Sequence, residues 1–207
     1  MLSITYILII ITSTVSLIAM RQTAMQNRLI FNPYRVKTRR EYWRFLSSGF
    51  IHKDLLHLLF NMIALYFFGA VIETVFGYHF KELGIVYYLL LYFGGVVVSD
   101  IPSFFRHHNN PYYNSLGASG GVSAVLFGAI LYRPTSSICI YFAICLPAFI
   151  LGILYLLYSF YFGKKIGDNV NHDAHFYGAI YGALFTILLR PEVLHSFYQK
   201  IIESMPF

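Results

Sequence analysis

Charge is what this sequence has least of. Asp, Glu, Lys and Arg make up 12% of its 207 residues, about half of what a soluble domain of this size carries. Hydrophobic residues reach 57% and aromatic residues 19%. So few charges leave lipid as the solvent for most of the surface. The net charge of +6 would suggest nucleic acid in a soluble protein. No nucleic-acid motif is present, and Lys and Arg beside apolar segments meet anionic headgroups instead. Cysteine is nearly absent: Cys139 and Cys145 share one apolar segment. On a helix they lie about 9 Å apart along the axis, too far for a disulfide, so both are expected to be packing residues. There is no internal repeat, which argues against a transporter built on repeats. There is no H-E-x-x-H, and no acid is placed to activate water for a zinc site made from His52, His57, His172 and His175.

What is abundant is apolar sequence in blocks. Six segments are expected to span a bilayer: residues 2–20, 55–76, 83–99, 119–132, 137–162 and 174–189. The first lacks a basic leader and a clear A-x-A site, so it reads as a retained span rather than a signal peptide. Residues 21–54 form the longest polar connection and hold the only tryptophan. Trp43 and Arg44 are expected at headgroup depth, as an aromatic anchor and a snorkelling cation. The whole chain, residues 1–207, reads as one helical membrane domain, with a core at about 43–189 and a short tail at 190–207.

Two of the segments are short. From Ser119 to Tyr132 is 14 residues, about 21 Å of helix against a hydrocarbon core of about 30 Å. Ser119 therefore lies below the membrane surface, at a helix N-terminus. From His175 to Leu189 is 15 residues, about 22 Å, starting from the same side. That puts His175 at nearly the depth of Ser119. The preceding "NNPYYNSLGASGG" is irregular chain at membrane depth, tolerated only where protein or water satisfies it. His57 and Asn61, at i and i+4, share a face of the second segment. Polar residues inside a span are costly and usually face something.

These four residues suit acyl transfer. Serine becomes a useful nucleophile when a base takes its proton, and histidine is the usual base. Ser119 and His175 form a dyad on paper. His57, Asn61 and the Ser119 N–H supply donors for an oxyanion. Asp173, two residues before His175, points away on a helix and makes no third member. The bland alternatives are a helix-capping serine, a core histidine and inter-helix hydrogen bonds from His57 and Asn61. Gly178 and Gly182 let a neighbouring helix approach and bring His175 to Ser119. His52 and His172 read as interfacial residues, His107 and His108 as solvated, and the Tyr- and Phe-rich stretches as core or lipid-facing.

At these positions the sequence resembles the rhomboid intramembrane serine proteases. "GASG" (117–120) matches their G-x-S-G, "HLLFN" (57–61) their H-x-x-x-N, and "AHFYGAIYG" (174–182) their A-H-x-x-G-x-x-x-G. "WRFLSSGFIH" (43–52) resembles the Trp-Arg stretch of their first loop. The resemblance covers about residues 43–189. It implies an all-α bundle of six transmembrane helices of the bacterial type, multi-pass in the inner or cell membrane. Ser119 would be the nucleophile, His175 the base, and His57, Asn61 and the Ser119 N–H the oxyanion hole. Substrates would be transmembrane proteins, and no cofactor is expected. Many members carry an aromatic residue four positions after the serine, stacked on the catalytic histidine; Ser123 stands there in this chain.

The competing class is a catalytically silent membrane binding or quality-control protein on the same fold, for which Ser119→Ala is harmless. Orientation is contested within the sequence. Eleven Lys and Arg lie on the side of the first, third and fifth loops, and four on the other. The positive-inside tendency puts the larger set in the cytoplasm. The resemblance puts that side, with the mouth of the site, outside, and the expectation follows the resemblance. The fifth segment, about 26 residues long, is expected to tilt and, with the loop before the sixth, to admit substrate.

Overall fold

Caps and breakers set the helix ends. A computed structural model describes residues 3–140, 144–162 and 172–204. Its first helix, α1, is Ile4–Arg21. The polar connection then folds into α2 (Thr23–Leu29), α3 (Pro33–Arg39), α4 (Arg44–Ser47) and a 3₁₀ turn at Ser48–Phe50. Asn32 caps α3 by accepting the Arg35 N–H at 2.8 Å, with Pro33 opening the helix. Two long helices follow, α5 (Leu55–Phe80) and α6 (Leu83–His107). Asp54 caps α5 by accepting the His57 N–H at 2.8 Å. Then come α7 (Ser119–Tyr132), a hairpin of β1 (Ser137–Ile140) and β2 (Ile144–Pro147), α8 (Ala148–Phe162), α9 (His172–Leu189) and α10 (Glu192–Glu203).

The short helix α7 is the centre of the molecule. It packs on α5, α6 and α9, and nearly all of its residues are buried. Small residues make this possible. A Cβ on Gly178 of α9 would strike the backbone of Gly120 on α7, with Gly120 C and Cα at 2.9 Å. One turn on, a Cβ on Gly182 would strike Ala124. The two helices therefore touch backbone to backbone, as the G-x-x-x-G spacing permits. On the other side, Gly95 of α6 faces Gly120, Gly121 and Ala124. Outside this centre α1 lies along α5. Glu73 receives Ser3 Oγ at 2.6 Å, Ile4 N at 2.8 Å, and Thr5 N and Oγ at 3.1 and 2.7 Å.

The length and composition of α1, α5 and α6 suffice to cross a bilayer. Ser119–Tyr132 and Ala148–Tyr161 are shorter apolar helices. Among the described residues, three of the six expected spans thus reach crossing length and apolarity.

Several expectations are corrected. The fifth segment is not one helix of about 26 residues: its first part is the β1–β2 hairpin, and α8 has 15 residues. Cys139 and Cys145 are not remote packing residues. They face each other across the hairpin, Cα to Cα 3.9 Å, and form a disulfide. A strand pair brings together directly opposite residues that a helix would separate. Arg44 does not snorkel. It is 1% exposed, donating to Glu41 at 2.5 Å and to the carbonyls of Asn27 and Ile30 at 3.1 and 2.6 Å. Its work is to close the end of α2, whose last carbonyls have no helical partner. Helix α6 runs past residue 99 to His107, through Pro102. The loop before the sixth segment, 163–171, lies outside the described residues.

Candidate active site

The chain before α7 must enter the bundle without leaving backbone groups unpaired. The first loop does this. Phe31 and Ser115 exchange two backbone hydrogen bonds, both 3.0 Å. The Asn32 amide donates to the carbonyls of Pro111 and Tyr113 and to Asn114 Oδ1. Gly117 N–H donates to the Ser48 carbonyl at 3.0 Å, and Ala118 N–H to His52 Nε2 at 3.2 Å. Buried Asp100 of α6 ties the two sides, accepting Ser48 Oγ and Ser115 Oγ, each at 3.3 Å.

His52 is fixed by this arrangement. Because Nε2 accepts from Ala118, Nδ1 carries the proton and donates to Ser16 Oγ of α1, 3.2 Å away. Burial above all, with His57 beside it second, pushes its pKa down to about 3. It stays neutral, as an acceptor must.

Ser119 opens α7, and Ala118 before it makes no side-chain cap. The first N–H groups of that helix thus have no partner within it and carry its positive end. Gly117 turns the chain into the helix at φ +126°, where side chains are rarely tolerated. The His57 ring fills the space a side chain would need: a Cβ on Gly117 would lie 2.7 Å from His57 Cε1 and 2.9 Å from Nε2. His57 is thus held two residues from Ser119. Asn61 sits one turn along α5, 7% exposed, with its amide donating to the His57 carbonyl at 2.9 Å. His175 lies in the first turn of α9, three residues before the glycine that touches Gly120. His57 and the first turn of α9 thus both lie at the Ser119 end of α7. Ser119 and His175 share no hydrogen bond, and Asn61 has one amide hydrogen engaged by its own helix.

The Rhomboid domain family model matches residues 39–192. This chain belongs to the rhomboid family. Its relatives include RHOMBOID-like protein 12, mitochondrial, of Arabidopsis thaliana, 32% identical over 67% of this chain and 44% of the relative. RHOMBOID-like protein 4 of the same plant is 34% identical over 73% and 35%. The Putative rhomboid protease YdcA of Bacillus subtilis (strain 168) is 27% identical over 72% and 67%. This rhomboid chain spans less than half the length of the two plant relatives.

Sequence reasoning missed some of what surrounds the site. Asp100 and Asn32 hold the approach to α7, and His52, read as interfacial, is 1% exposed and bonded at both nitrogens. Those bonds also remove His52 from any zinc set. Asp173 pairs with Arg106 at the end of α6. The largest omission is Tyr155 of α8. Its ring stacks on His175 with centroids 5.8 Å apart and planes at 16°. Its hydroxyl lies 2.6 Å from Ser123 Oγ. Nothing in a segment dense in Tyr and Phe singles it out.

Proposed function

We propose that this rhomboid chain is an intramembrane serine endopeptidase. Ser119 Oγ attacks the scissile carbonyl carbon of a transmembrane segment while His175 takes its proton. The C–O bond forms as the carbonyl π pair moves onto oxygen. His57, the free hydrogen of the Asn61 amide and the Ser119 N–H receive that oxyanion. The C–N bond then breaks, the amine leaves with the proton from His175, and an ester to Ser119 remains. Water, deprotonated by His175, hydrolyses the ester and restores the serine. The observation that carries this reading is the seating of His57 on Gly117 beside a serine that opens an uncapped, buried helix. No cofactor enters these steps.

The proposal includes the six-span topology, the single domain over 1–207 with its core at 43–189, and residence in a bacterial inner or cell membrane with the mouth outward. Its partners are transmembrane substrates and the lipid itself. The alternative is a silent binding protein on the same frame, consistent with the missing Ser119–His175 hydrogen bond. Apo sites often tighten only with substrate bound.

A fluorophosphonate probe on protein purified in mild detergent tests the reading. Peptide mapping is expected to find the adduct on Ser119 in wild type and on no residue in Ser119→Ala or His175→Ala. Folded wild type that stays unlabelled in detergent and in lipid vesicles overturns the protease reading in favour of the silent one.

A further inference from the structure

Tyr155 is held at two places by α7. Its hydroxyl meets Ser123 Oγ at 2.6 Å, and Phe127 packs against its ring at 5.9 Å, tilted by 48°. Ser123 and Phe127 follow Ser119 at i+4 and i+8, so the three lie along one stripe of α7. The same Tyr155 ring meets His175 nearly parallel, at 16°. His172, also a ring neighbour of His175, meets it edge-on at 71°. One tyrosine thus joins three helices and limits how the His175 ring can turn.

The fit between Ser123 and Tyr155 is one of size as well as bonding. Ser123 is 2% exposed, with Tyr155 against it. A bulky side chain at 123 would fill the space that the tyrosine now occupies. A serine there leaves room for a ring from α8 and offers a hydroxyl to hold it.

From this geometry we infer that Tyr155 is the positioning residue for His175, seated by Ser123, so that α8 supplies from outside α7 the surface that orients the base. The inference rests on the protease reading for its catalytic consequence. Its geometric content, that Tyr155 covers and orients His175, stands apart from catalysis. A ring free to rotate spends less time with a nitrogen aimed at Ser119, and misplacement of a base is costly to rate. It also ties catalysis to the seat of α8: a helix that moves away from α7 and α9 takes the stacked ring with it.

The test uses full-length protein in detergent with two readouts. The first is the rate of fluorophosphonate adduct formation on Ser119. The second is carbethoxylation of His175 by diethylpyrocarbonate, mapped by peptide mass, which needs no catalysis. Tyr155→Ala is expected to slow the adduct about tenfold or more and to speed carbethoxylation. Tyr155→Phe keeps the stack and stays close to wild type in both. The double variant Tyr155→Ala, Ser123→Tyr returns a ring to the same space from α7 and recovers most of the lost labelling, which a general loss of packing would not allow. Wild-type rates of both reactions in a folded Tyr155→Ala protein overturn the inference. If wild type takes no fluorophosphonate, the protease reading fails, and the carbethoxylation series alone decides whether Tyr155 covers His175.

Discussion

Helices α7 and α8 are nearly equal in length, 14 and 15 residues, and both are apolar, yet they live in different surroundings. α7 is enclosed by α5, α6 and α9. α8 rests on α9 and α7 and turns Ile153, Leu154, Leu157, Tyr158, Phe160 and Tyr161 outward. The difference lies in small residues. Gly120 and Gly121 allow α7 to be approached closely on two sides, and Ala124 and Gly128 continue that surface. α8 has a single glycine, Gly152, against Ile130 and Phe127. Within lipid, burying apolar surface between helices gains little over leaving it in the acyl chains, so close backbone approach decides which helix is central. Hydropathy does not separate a nucleus from a perimeter; the distribution of glycine does.

The comparison can be broken most severely at the α7–α9 contact. Gly178→Val places a branched side chain where Gly120 backbone stands. The expected loss is about 3 kcal/mol or more, seen as a collapse of the thermal midpoint in detergent. At the far edge of the bundle, Glu73→Ala leaves the first turn of α1 without the acceptor of four hydrogen bonds. About 1–3 kcal/mol should be lost, with proteolysis appearing first in α1.

The approach to α7 should weaken in acid. His52 has its folded pKa depressed, so the unfolded chain takes up its proton first. Stability from this residue is present above the ordinary histidine value and falls as pH drops from about 6.5 towards about 3. Melting curves across that window should show a component that His52→Gln removes. The smallest effect belongs to the perimeter. Leu157→Ala on the outward face of α8 is expected to change stability by about 0.5 kcal/mol or less. A large loss there would mean that α8 is packed against something other than lipid.

How far the sequence could be read follows the same division. The length of α7 was legible because Arg133 and Pro134 stop it and the glycine-serine stretch starts it; the structure places it at Ser119–Tyr132. The seat of His57 against Gly117, two residues before Ser119, agrees with the expectation drawn from depth and helical period. The hairpin was not legible, because a short apolar run has no period that tells strand from helix. Pro134 and Pro147 bracket it, but they bracket a helix start equally well. Arg44 was misjudged because two of its three partners are the backbone carbonyls of Asn27 and Ile30, and carbonyls have no signature in sequence. Tyr155 depends on a crossing between α8 and α9 that only three dimensions supply. The one hint was negative: Ser123, small where bulk was expected, signals that something else fills the space.

The paired sulfurs of the hairpin lie at the end of the bundle opposite Ser119, on the connection from α7 to α8. A sulfur–sulfur bond endures only where the surroundings are oxidising. Were the mouth of the site outward, as proposed, Cys139 and Cys145 would face the cytoplasm, and there the ring they close would open to two thiols. Chain recovered from cells with thiols blocked during lysis, and with that ring still closed, would have to sit in the membrane the other way up. The two cysteines are thus a postmark, stamped by the compartment in which the hairpin lives.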